Sequence, residues 1–230
     1  GSGEPCNNTI AGCDHGTHVA GIAAGWSDGT YPVGPGVASD ANIIAIQVFT
    51  EFADAGICGG FGLPTPCALT YASDQIAGLQ RVYDLRFTYD ISTVNMSLGG
   101  GKYTAACDGD SRKAIIDLLR AAGIATVISS GNNGYSDGMG APACISTAIS
   151  VGSTTVDSWG FPYVDDTVST FSNSASFLDL LAPGQVIYSS VPGDVYGWKQ
   201  GTSMAAPHVA GAWALLKQQN SSITVDDALL

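Results

Sequence analysis

The chain has 230 residues, a formal charge of −12, 30 glycines and only 12% charged residues. That length supports one sizeable core, and the composition fits a compact, loop-rich fold better than a disordered or coiled-coil one. With no cluster of Lys or Arg, nucleic acid and anionic membrane surfaces are excluded as expected partners, and no run of roughly eighteen apolar residues could span a bilayer.

Taken in order, "GSGEPCNNTI" at the start has no positive segment followed by an apolar one, so no signal peptide is read there. "HVAGIAAG" (18–25) reads as a small-residue helix, and "NIIAIQVF" (42–49) as a buried strand. "SDQIAGLQRVYDL" (73–85) is a helix with Ser73 as its cap and an apolar face of Ile76, Leu79, Val82 and Tyr83. "STVNMSL" (92–98) is the next strand. "DSRKAIIDLLRAAG" (110–123) is a helix whose apolar positions are Ala114, Ile115, Leu118 and Leu119, and it stops at Gly123.

"IATVISS" (124–130) and "TAISVGS" (147–153) are two further strands. The strands are short, Ile/Val-rich and continuous rather than alternating, which predicts a parallel sheet covered on both faces. "GTSMAAPHVAG" (201–211) opens a small-residue helix with Pro207 in its first turn, where proline is tolerated. "ITVDDALL" (223–230) carries a helix-start pattern at Thr224 and Asp227.

The alternation predicts an α/β fold: a doubly wound, mostly parallel sheet with helices on both faces and right-handed crossovers. No repeat or linker divides it, so residues 1–230 are read as one domain, truncated at both ends. The six cysteines, Cys6, Cys13, Cys58, Cys67, Cys107 and Cys144, include no CxxC pair. An even, dispersed set favours disulfides and a secreted protein over zinc ligation; reduced core thiols are the alternative.

Three residues could carry chemistry together. Ser203 stands at a helix N-terminus, where free N–H groups and the helix dipole favour developing negative charge; alternatively it only caps the helix. A base must come from His15, His18 or His208. His208 lies about 140° around the helix from Ser203 and faces away. His18 sits inside an apolar helix, as a packing residue would, whereas His15 opens that helix and can project into a cleft. A metal on the His15/His18 pair lacks a third ligand. Asn132, in "SSGNNG" after a strand, can donate its amide to an oxyanion, although Asn beside Gly also suits a plain turn.

"HGTHVAG" at His15, "SSGNNG" at Asn132 and "GTSMAAPHVAG" at Ser203, in that order, resemble the subtilisin-like (subtilase) serine peptidases across nearly the whole chain. "GVASDANIIAIQVF" and "VNMSLGG" also fall where that family has similar segments. The resemblance implies that Ser203 attacks the scissile carbonyl, His15 takes its proton, and Asn132 with the Ser203 N–H holds the oxyanion. It implies a peptide-pairing edge at Ser97, Leu98, Gly99 and Gly100, with Gly131 and Gly140 walling a pocket for a large apolar P1 residue.

Proximity in sequence, together with the compact loops of that family, predicts local disulfides Cys6–Cys13, Cys58–Cys67 and Cys107–Cys144 out of fifteen possible pairings. Polypeptide substrates and a prodomain are the implied partners of a monomeric, secreted enzyme. No cofactor is required for the chemistry; a structural calcium remains open, with the acids of "VDSWGFPYVDD" (156–166) as its candidates or as mere solvated surface. The metal ligands are therefore unknown.

One departure stands out. The family's triad runs Asp, His, Ser, and only Glu4 and Asp14 precede His15. Neither fits, so the acid is expected on a segment outside these residues, and the 230 residues alone are expected to be poorly folded or nearly inactive. A non-catalytic peptide-binding relative is the alternative function. An α/β-hydrolase esterase is disfavoured, because it would need G-x-S-x-G with the His last.

Overall fold

A computed structural model describes residues 10, 12–27, 29, 34–156 and 164–229. Helix α1 (His15–Ala24) comes first. Strand β1 (Thr50–Phe52), helix α2 (Ala55–Gly60) and strand β2 (Cys67–Leu69) form a hairpin closed by the Cys58–Cys67 disulfide, whose Cα atoms are 5.8 Å apart. Helix α3 (Ala72–Leu85) leads to β3 (Thr93–Met96) and β4 (Gly100–Tyr103), and α4 (Lys113–Ala121) leads to β5 (Ala125–Ser129). Strands β6 (Met139–Ala141), β7 (Ile149–Thr154) and β8 (Leu180–Pro183) precede the hairpin β9 (Ile187–Val191) and β10 (Val195–Lys199). Helices α5 (Thr202–Gln219) and α6 (Val225–Ala228) complete the described chain.

The main sheet has the order β3-β5-β7-β8, and every pairing in it is parallel. Both faces are apolar. Ala125, Val127, Ile149 and Val151 pack with Ala205, Ala206, Ala210 and Trp213 of α5. Ile128 joins the opposite cluster with Ile116 and Leu119 of α4 and Leu79 and Val82 of α3. The chain is thus an α/β fold with helices on both faces of a parallel sheet.

Local chemistry explains the element ends that matter. Gly123, at φ +75°, ends α4 in a paired motif: Ile124 N–H donates to Leu119 O (2.9 Å) and Gly123 N–H to Arg120 O (2.9 Å). At α6, Thr224 and Asp227 form the reciprocal capping box that their spacing suggests. A second disulfide joins Cys107 to Cys144, Cα atoms 5.3 Å apart. Cys13 is also disulfide-bonded, while Cys6 lies outside the described residues.

Three readings of the sequence need correction. Residues 42–49 are not a strand in the described structure. A strand needs a hydrogen-bonded neighbour, and among the described residues none lies beside them, so Ile43, Ile44 and Phe49 stay exposed. Ile46 still packs on the α3–α4 cluster. Ser73 is not a cap: α3 starts one residue earlier, with Tyr71 at the N-cap, so Ser73 is already helical. Pro207 lies beyond the first turn, inside α5.

Candidate active site

Helix α5 is buried along much of its length because small residues let it lie between the sheet and α1. Val19 and Ile22 of α1 share an apolar cluster with Met204, the residue after Ser203. The N-terminal turns that carry His15 and Ser203 are therefore packed into one assembly. Gly201 is the N-cap, at φ +150°, and Thr202 and Ser203 are the first helical residues. No side chain caps this helix, so Ser203 is not the cap. Its hydroxyl is left without a hydrogen bond among the described residues.

Asn132 is exposed in the loop after β5. Its Oδ1 accepts from Thr202 N–H (2.8 Å) and from Thr202 Oγ1 (2.9 Å). A backbone N–H can only donate, so the atom facing it must be the carbonyl oxygen of the amide. Nδ2 is thereby turned outward as a donor. Thr202 Oγ1 in turn accepts from Gly131 N–H (3.1 Å). A Cβ on Gly201 would sit 3.2 Å from Asn132 Nδ2, which together with its φ explains the glycine there.

Ser97, just beyond β3, donates its hydroxyl to the Ser203 carbonyl oxygen (2.8 Å). Leu98 packs on the core, and Gly99 and Gly100 are exposed as the chain enters β4. Gly140 lies in β6, where an added Cβ would be 3.2 Å from Gly100 N and O. Residues 97–100, Gly131, Gly140, Asn132 and Ser203 thus belong to one contact network that links β3, β5 and α5.

His15 opens α1 half-buried, and its imidazole takes no hydrogen bond among the described residues. Burial is the largest influence on its pKa and lowers it, Lys199 and His18 lower it further, and Asp14 opposes them; the outcome is below the usual 6.5. Asp14 does not serve as its acid: its carboxylate is held by Lys199 Nζ at 2.8 Å. Glu4 lies outside the described residues. His18 is fully buried, and Nε2 lies 3.2 Å from Ile187 O and 3.0 Å from Gly197 O. Both partners are acceptors, so Nε2 carries the proton and His18 straps α1 to the β9–β10 hairpin. His208 Nδ1 lies 2.8 Å from Met204 O on its own helix, away from this role.

Sequence reasoning missed Asn173, which is fully buried. Its Oδ1 accepts from the N–H groups of Asn133 (2.9 Å) and Tyr135 (3.2 Å), and its Nδ2 donates to Ser130 O (3.1 Å). It clamps the loop that presents Asn132. Nothing in "FSNSAS" separates this Asn from a turn residue. Asn173→Ala would orphan the Asn133 and Tyr135 N–H groups, while Ser130 O keeps its bond from Gly140 N–H (2.9 Å), so unfolding stability should fall by about 2 kcal/mol. A denaturant midpoint shifted by less than a third of that amount would count against the clamp.

A parallel α/β sheet with a candidate nucleophile, an oriented amide donor and a candidate base at its helix and loop starts defines a class of site. The profile of the "Subtilase family" matches residues 4–228, and the chain belongs to that family. "Alkaline serine exoprotease A" of Vibrio alginolyticus is 35% identical over 210 residues, 91% of this chain and 32% of that protein. "Subtilisin E" of Bacillus subtilis (strain 168) is 32% identical over 216 residues, 93% of this chain and 48% of that one. A solved cold adapted subtilisin-like serine proteinase superposes with a TM-score of 0.69 at 31% identity, over 94% of this chain and 65% of that chain. Sphericase gives 0.72 at 26%, over 94% and 67%. The chain spans between about a third and a half of the length of these two curated relatives.

Proposed function

We propose that the protein is a serine endopeptidase. Ser203 Oγ attacks the peptide carbonyl while His15 takes its proton; the C–N bond then breaks, and the same proton leaves with the amine. Water, deprotonated by His15, hydrolyses the acyl-enzyme and restores Ser203. The observation that carries this reading is the Asn132 amide, locked by Thr202 with its donor outward next to the residue of Ser203. An acid partner for His15 would come from outside the described residues, as the family order implies.

The rest of the reading follows the same line. Gly131 and Gly140 bring no charge to the pocket, so a large apolar P1 residue is preferred, and residues 97–100 pair with the substrate backbone. Disulfides at Cys58–Cys67 and Cys107–Cys144 suit an oxidising, extracellular setting. A prodomain and a monomeric state follow from the resemblance, and the chemistry itself requires no cofactor. Labelling the full-length protein with a fluorophosphonate probe and mapping the adduct tests the chemistry: it should fall on Ser203, and an unlabelled protein or an adduct elsewhere would overturn the reading. Peptide profiling tests the pocket, where dominant cleavage after Arg or Lys would refute it.

The electrostatics around His15 give a pH prediction. Lys199 lowers the His15 pKa and also occupies Asp14, whose carboxylate raises it. Lys199→Met removes the cation and frees the anion, two changes of the same sign. The acid limb of kcat/KM should move to higher pH relative to the wild type. A limb that stays put or moves down would show that Lys199 does not act on His15.

A further inference from the structure

In an α-helix the carbonyl of residue 203 would accept from the amide of residue 207. Residue 207 is a proline inside α5 and has no N–H to give. The donor found instead is Ser97 Oγ, 2.8 Å from Ser203 O. That hydroxyl is itself aimed: Asn95 Nδ2, on β3, donates to it at 2.9 Å, leaving its single hydrogen for the Ser203 carbonyl.

We infer that Ser97 is a positioning residue for Ser203, its hydroxyl substituting for the helix amide missing at Pro207 and tying the nucleophile's own residue to the end of β3. This rests on the reading of Ser203 as nucleophile. Ser97 also begins the proposed peptide edge, so one bond sets the spacing between the bound peptide and the attacking oxygen. Reaction is sensitive to such spacing in a way that binding is not. Without the bond, peptide still pairs with residues 98–100, but its carbonyl meets a less restrained Ser203.

The test uses full-length protein, with kcat expressed per site by active-site titration, so that misfolded molecules do not count. Ser97→Ala should lower kcat about three- to tenfold, the scale of one net hydrogen bond, with KM unchanged, and should slow fluorophosphonate labelling in the same proportion. Ser97→Thr, which keeps the hydroxyl, should stay near wild type. Adding Pro207→Ala to Ser97→Ala should recover most of the loss, because that substitution returns a main-chain donor opposite Ser203 O. A purely structural role would show no such reciprocal rescue.

Unchanged kcat in Ser97→Ala, a loss confined to KM, or no recovery in the double variant would each overturn the inference while leaving the peptidase reading intact. A wild type that neither turns over peptide nor labels at Ser203 would overturn both.

Discussion

Full-length protein carrying Ser203→Ala is expected to lose about six orders of magnitude in kcat, a scale known for subtilisin's own serine and carried over from it rather than derived from this geometry. The informative part is what should not change. The Ser203 hydroxyl caps nothing, and the bond from Ser97 goes to the main chain, which alanine retains. Alanine also has the better helix propensity. Stability should therefore hold or rise slightly. Were Ser203 a capping residue, its removal would lower stability by about 1 kcal/mol and leave any activity largely alone. Thermal unfolding and peptide turnover measured together separate the two, and turnover within tenfold of wild type would remove Ser203 from the mechanism.

Asn132→Asp is the second large effect. The carboxylate still offers an oxygen to Thr202 N–H and Oγ1, which now meet Oδ1 at 2.8 and 2.9 Å, so the turn should keep its shape. The outward donor Nδ2 becomes a second oxygen. Hydrogen-bond donation to the oxyanion is lost and replaced by repulsion that grows as negative charge develops. The bound peptide carries no such charge, so KM should barely move. A fall of about a hundred- to a thousandfold in kcat is expected, the range that loss of one such donor has in subtilisin. A fall of less than tenfold, with the denaturant midpoint unchanged, would show that Asn132 is only a turn residue.

How much of this was legible beforehand depended on sequence distance. His15, Asn132 and Ser203 each lie within a contiguous motif block, so they can be nominated as candidates from sequence alone. β3 is only partly buried and is legible mainly from its β-branched Thr93 and Val94; β5 and β7 are legible because every residue in them is buried, which favours short apolar runs. Residues 42–49 carry the same run yet form no strand, since hydrophobicity specifies a buried surface but not a partner. The short antiparallel pieces escaped notice for the opposite reason. β4, "GGKY", is exposed throughout and has no apolar pattern to find.

Side-chain direction was the other blind spot. Ser97 was read as part of a backbone edge, but its hydroxyl acts on a residue 106 positions away. Thr202 holds an amide 70 positions upstream, and the Lys199–Asp14 pair joins opposite ends of the chain. None of these leaves a local signature, because each depends on where two distant helices and a hairpin meet.

The unpartnered residues 42–49 also bear on handling in solution. Their main-chain groups, and the outer edge of β3, which among the described residues pairs with β5 alone, are templates on which another strand could add. Exposed Ile43, Ile44 and Phe49 lie on the same stretch. The shared charge of −12 on these 230 residues opposes their association, and charge repulsion is a long-range force only in dilute salt. Raising ionic strength toward 1 M shortens its reach to about 3 Å while leaving the apolar edge attraction intact. Colloidal stability should then pass from charge-controlled to edge-controlled, and salting, usually a route to compaction, becomes for these residues a route to association.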